Sequence, residues 1–132
     1  MSLSIVPLES KFFEFVRNLR NDPRVREGFI SQEEITPDDH AAYMSLNCSN
    51  YFVCLRGLRP VGYFGVINDD IRIATSPEEM QTGVASFMVN YISEHFPHAV
   101  AKVKIKNSAS QKLFEKSGYK PSFVIYTKPA VE

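Results

Sequence analysis

At 132 residues, with 44% hydrophobic and 23% charged side chains, the chain reads as one folded domain over residues 1–132, large enough to bury a core without a metal or disulfide staple. Fifteen basic and fifteen acidic residues cancel to zero formal net charge, which excludes the basic excess of a nucleic-acid binder. Two cysteines, Cys48 and Cys54, exclude a secreted disulfide scaffold, and no His or Cys spacing marks a metal site.

The N-terminus lacks a signal-peptide pattern, and no apolar run approaches membrane-spanning length. A cytoplasmic chain without a membrane partner is therefore expected. Charge is uneven along the chain. Residues 99–132 hold seven Lys against two Glu, which suits either an anionic ligand or a solvated Lys-rich face.

In chain order, a helix is expected over residues 10–20, where Phe12, Phe15, Val16 and Leu19 recur at helical spacing. Asn21-Asp22-Pro23 should end it, because the residue before proline avoids the helical region. A second helix starts at Thr36, with Pro37 at its first position and Asp39 where a capping acid stands. It ends within residues 45–49. Strands follow over residues 51–56, 61–67 and 71–75, joined by Gly57-Leu58-Arg59-Pro60 and by the hairpin turn Asn68-Asp69-Asp70. A loop over residues 76–83 enters a helix whose apolar face is Val84, Phe87, Met88, Tyr91 and Ile92. Residues 100–106 alternate Lys102, Lys104 and Lys106 against Val103 and Ile105, as a strand does. A short helix over residues 108–117 closes on Gly118, and residues 122–128 form a last strand. The strand–loop–helix–strand stretch is a crossover unit, which sets its two strands parallel.

Two places can carry chemistry. The loop entering the helix at Val84 offers free backbone N–H groups and the positive end of a helix dipole, a fit for pyrophosphate. Gly83 allows close approach and Ala85 keeps the next turn small, although a glycine there also serves an ordinary turn. In the second place, Asn107, Ser110 and Phe114 share one helical face. Taken alone, the segment reads as an N-cap, a core contact and a C-cap.

Together, Gly83 and Ala85 after a strand, followed by Asn107 and a short helix closing on Gly118-Tyr119, resemble the acyl-CoA motif of the GNAT (GCN5-related N-acetyltransferase) superfamily. The likeness spans nearly the whole chain. It implies an α/β fold of the α+β type, with a mixed, mostly antiparallel sheet of six to seven strands, four flanking helices and a central β-α-β unit. It also implies an acyl-CoA-dependent N-acetyltransferase that uses acetyl-CoA as donor and no metal. Its backbone at Ile73, Ala74 and Thr75 would take the pantetheine arm and polarise the thioester. Gln81, Thr82, Gly83, Val84, Ala85 and Ser86 would hold the pyrophosphate, with Asn107, Ser110 and Phe114 completing the donor site. The amine would attack directly, with no covalent enzyme intermediate.

The sequence departs from the family pattern at several points. Met80 stands where Gln or Arg is usual, with Gln81 and Thr82 after it. Glu78 and Glu79 precede the loop, each unfavourable by roughly 1–3 kcal/mol if ~6 Å from a phosphate at a dielectric near ~20, unless they point to solvent. Phe114 replaces a Tyr that protonates the leaving thiolate in many members. Ser110, Tyr119 or a water on Asn107 can stand in, or the thiolate leaves unaided. Deprotonating a Lys-like amine at pH 7 costs about 4–5 kcal/mol. The bases considered are His40, Glu33, Glu34, Asp69 and Asp70, where capping and turn chemistry are the plainer roles.

Residues 19–26, with Ile35-Thr36-Pro37 and His40, look like the branch that acetylates nucleotide-linked amino sugars and the ribosomal-protein N-acetyltransferases. On that likeness Arg20, Arg24 and Arg26 meet an anionic acceptor. The partner expected is a small-molecule amine. The alternatives are a protein N-terminus or Lys, or a degenerate CoA-binding module without catalysis. An exposed edge on the final strand suits a homodimer as well as a monomer.

Overall fold

In the computed structural model, residues 2–26 and 36–129 are described. Four antiparallel strands form one sheet in the order β1 (Leu3–Pro7), β2 (Tyr51–Arg56), β3 (Arg59–Ile67) and β4 (Asp70–Thr75). The helices are α1 (Phe13–Asn21), α2 (Pro23–Arg26), α3 (Pro37–Asn47), α4 (Val84–His95) and α5 (Ser108–Lys116).

The alternation of side chains along each strand divides the core in two. One face carries Cys54, Val61, Phe64 and Ile71, and α4 and α5 cover it through Met88, Ile92 and Phe114. The other carries Tyr51, Val53, Tyr63 and Ala74, covered by Val16, Leu19 and Met44 of α1 and α3. Phe64, Met88 and Ile92 are fully buried. Each contributes about 1.5–3 kcal/mol of apolar transfer, an upper figure for a compact unfolded chain.

Local signals place most elements. Thr36 caps α3 by accepting the Asp39 N–H at 3.3 Å, with Pro37 at the first position. Asn68 and Asp69 both have positive φ (52° and 61°) in the β3–β4 turn, the conformation a two-residue hairpin requires. The buried stripe of α4 is Val84, Met88, Val89 and Ile92. It is rotated from the expected one, leaving Phe87 partly exposed.

Three expectations are corrected. Among the described residues the sheet has four strands, not six or seven, and the α-helices number five. β1 is an addition at the sheet edge, paired along its length with β2 from Leu3↔Arg56 to Pro7↔Phe52. Residues 100–106 are not a strand. Their pairing is one parallel bridge, Asp70↔Val100, after which the Asn107 N–H closes on the Lys104 carbonyl at 2.9 Å and Gln111 Nε2 donates to the Ile105 carbonyl at 2.8 Å. These bonds bend the segment away from β4. Residues 122–128 then have no neighbouring ladder, and Phe123, Val124, Ile125 and Tyr126 are exposed. The expected strand edge for a dimer is absent with them. Ile35, Glu33 and Glu34 lie outside the described residues, as does the Arg26 side chain.

Candidate functional site

β4 is an edge strand whose outer side is occupied at one end only. Ile71 N–H donates to the Val100 carbonyl at 2.9 Å, and Val100 N–H donates to the Asp69 carbonyl at 2.7 Å. Beyond this point the chain turns away. By ladder alternation, Ile73 and Thr75 then present their backbone groups outward without a strand beside them. The split opens a groove of about 1360 Å³. It passes from the α4/α5 face, with Leu113 and Phe114, to the α1/α3 face, with Val16, Met44 and Tyr63.

Of the residues singled out in the sequence, His40, Ile73, Ala74, Thr75, Ala85, Asn107, Ser110 and Phe114 line this one groove. Gln81, Thr82, Gly83, Val84 and Ser86 do not. Val84 is a core residue, and Gln81, Thr82 and Gly83 are exposed beyond the groove wall.

Gly83 precedes α4 with φ of 92°, and no side chain caps the helix. Phe87 N–H reaches back to the Gly83 carbonyl at 3.0 Å. The amides of Val84, Ala85 and Ser86 therefore precede the first intrahelical bond and remain available to an anion.

The two carboxylates before this loop differ from each other. Glu78 is exposed, with Arg24 3.7 Å away. Glu79 does not point to solvent: its side chain is 8% exposed. Its carboxylate accepts from Arg56 at 3.1 Å, Arg59 at 2.7 Å and the Thr82 hydroxyl at 3.0 Å. The Arg59 bond, with help from Thr82 and Arg56, holds its carboxyl below the usual range. Two guanidinium groups around one carboxylate cancel the repulsion expected from Glu79.

On α5, Asn107 caps the helix, its Oδ1 accepting the Ser110 N–H at 3.1 Å. Phe114 meets Tyr119 edge-on, with centroids 5.3 Å apart, and offers no proton. Tyr119 does not line the groove. Burial raises its phenol pKa, an effect that Ser93 of α4 opposes.

On the α1/α3 face, His40 is buried, edge-on to Phe13 at 6.5 Å, with Nε2 unpartnered. Burial, then the charge of Arg17, lowers its pKa, so the imidazole is held neutral within the wall. Asp69 is confined to the turn. Asp70 pairs with Arg72 at 3.8 Å and Lys102 at 3.9 Å. Among the described residues, no His, Cys, Asp and Glu group can hold a metal, and no helix is long and apolar enough to cross a membrane.

Sequence reading missed Tyr43, Tyr51 and Arg72. Arg72 Nη1 donates to the Tyr43 hydroxyl at 2.7 Å, and the Tyr43 and Tyr51 hydroxyls lie 2.9 Å apart. Burial pushes the Tyr51 phenol far up, and the bond to Tyr43 adds to it. The trio comes from α3, β2 and β4, and no local motif announces it.

No family model matches the sequence, and no curated protein resembles it at the sequence level. Its fold has many counterparts. A domain from Methanocaldococcus jannaschii superposes with a TM-score of 0.79 at 19% identity, covering 92% of this chain and 90% of that one. The spermidine N-acetyltransferase of Vibrio cholerae, solved with CoA and spermine, gives 0.73 at 19% identity over 88% and 79%. A GNAT-family acetyltransferase from Bacillus anthracis gives 0.74 at 22% identity over 89% and 80%. Likeness at these identities speaks for architecture alone, and on it this chain has the GNAT fold.

Proposed function

We propose that this chain is an acetyl-CoA-dependent N-acetyltransferase acting on a small primary amine. The observation that carries the proposal is the split beside β4, an edge strand with outward backbone groups facing an open groove that joins both faces of the sheet. An extended pantetheine arm fits such an edge as an added strand. CoA in the Vibrio cholerae structure supports the same use here.

In this reading the backbone N–H groups around Ile73 and Thr75 bind the arm and polarise the thioester carbonyl. The free amides of Val84, Ala85 and Ser86 face the pyrophosphate, and Arg56 and Arg59 neutralise Glu79 beside them. Ala85 and Phe114 bound the donor side of the groove. The neutral amine enters from the α1/α3 face and attacks the carbonyl. The C–N bond forms, the C–S bond breaks, and the proton lost by the attacking nitrogen passes through groove water to the departing thiolate, so that amide and thiol leave neutral. With Phe114 unable to donate, Ser110 is the hydroxyl that lines the donor side of the groove. A thiol of ordinary pKa, about 8.5, also leaves without a dedicated acid. The acceptor suggested by the likeness of residues 19–26 is a nucleotide-linked amino sugar.

Thermal shift with acetyl-CoA, followed by thiol release over a panel of amines, tests the proposal. Ligand at ~100 times its dissociation constant stabilises by about 2.7 kcal/mol. No shift at millimolar acetyl-CoA overturns the reading. A shift without thiol release for any amine would instead assign a CoA-binding module, the alternative that Phe114 favours.

A further inference from the structure

We propose that Arg72, held by Tyr43 and Tyr51, is an anion-binding residue for the acceptor, so that the amine acetylated is one that also carries a carboxylate or phosphate. The inference rests on the proposed function for the use of the groove. The anion site itself rests on the geometry that follows.

Tyr51, Gly65 and Arg72 occupy one row across three strands, Tyr51↔Gly65 and Gly65↔Arg72. A Cβ on Gly65 would stand 2.4 Å from the Tyr51 ring. Only glycine therefore lets the ring lie over β3 and bring its hydroxyl toward β4. There the hydroxyl meets that of Tyr43, which accepts from Arg72 at 2.7 Å. A guanidinium has five N–H donors. Tyr43 takes one, and Asp70 stands at a long 3.8 Å, shared with Lys102. The fork is thus oriented before any ligand arrives and still has donors left, which lowers the ordering cost of binding a planar oxyanion.

The surroundings have the matching sign. Arg20, Lys104 and Lys106 line the same groove, Arg24 lines it already paired with Asp22 at 2.9 Å, and Asp70 is the one carboxylate among the described residues that do. Such a wall attracts anions and repels a polycation. Arg72 also adjoins Ile73 on β4. An anion bound there sets a tethered amine beside the strand edge where the thioester is placed.

The test is thiol release with matched amines: glucosamine against glucosamine 6-phosphate, propylamine against β-alanine, and spermidine as polycation. The anionic member of each pair should have kcat/KM higher by about tenfold or more, equivalent to about 1.4 kcal/mol. Arg72→Gln should collapse that ratio through the KM of the anionic member, with the acetyl-CoA thermal shift retained. Arg72→Lys, with charge but no fork, should keep part of it, and serves if the Gln variant does not fold. Wild-type preference for the neutral member or for spermidine overturns the proposal, as does a ratio left intact by Arg72→Gln. Calorimetry with glucosamine 6-phosphate and β-alanine supplies an activity-free readout. Binding that Arg72→Gln abolishes, without thiol release for any amine of the panel, supports the anion site and sinks the acetyltransferase reading. No binding of either probe, with no anionic preference in turnover, overturns the site.

Discussion

Residues around the groove owe their chemistry to what buries them. Glu79 is a carboxylate before a helix N-terminus, an unpromising neighbour for a phosphate. Arg56 and Arg59, 23 and 20 residues earlier in the chain, neutralise it. Nothing local in the sequence shows that partnership, because the β2–β3 turn and the loop before α4 meet only after folding. His40 is the reverse case. Its position after Thr36-Pro37 marks a helix start, but its burial against Phe13 follows from how α3 packs on α1. Burial with no partner lowers its folded pKa below that of the unfolded chain. As pH falls through the unfolded value, near ~6.5, the unfolded state takes up a proton that the native state refuses. Stability should therefore decline on acidification from about pH 7 toward pH 5. His40→Leu should flatten that slope in denaturant titrations run across this window. An equal slope in both proteins would show that His40 titrates normally.

Elements follow local rules where the rules are strong. α3, α4 and the β3–β4 hairpin form where capping, apolar spacing and turn residues place them. Segments that depend on a partner fare differently. Residues 100–106 alternate correctly for a strand, yet the bonds from Asn107 and Gln111 bend them off β4 after one bridge. That bend is what opens the groove. At the other end of the crossover, Gly83 holds φ at 92°, and a Cβ there would meet nothing within 4 Å. A substitution therefore acts through backbone strain and not through a clash. Gly83→Val places a β-branched residue in the left-handed region, at about 1–2 kcal/mol or more. It should weaken acetyl-CoA binding by about tenfold or more while leaving the far-UV dichroism helical. Normal affinity by calorimetry would remove the α4 N-terminus from the donor site.

The whole molecule is a three-layer arrangement with its site where the sheet stops being continuous. Residues 121–129 add little to it. Phe123, Val124, Ile125 and Tyr126 are 87%, 75%, 64% and 91% exposed, so they bury almost no apolar area. Deleting residues 121–132 should change stability by less than about 1 kcal/mol. A large loss of Tm in the truncated chain would mean that this segment packs as the strand its composition suggests. Patterning, caps and turn residues determined the helices, the β2–β4 meander and the likeness carried by Gly83, Ala85 and Asn107 through Tyr119, because each depends on neighbours a few residues apart. Tertiary structure alone decided the row Tyr51–Gly65–Arg72, the neutralisation of Glu79, the burial of His40 and the parting of β4 from residues 101–106. Those features depend on strand register and on contacts across twenty residues or more, where a sequence records the side chains but not which of them meet.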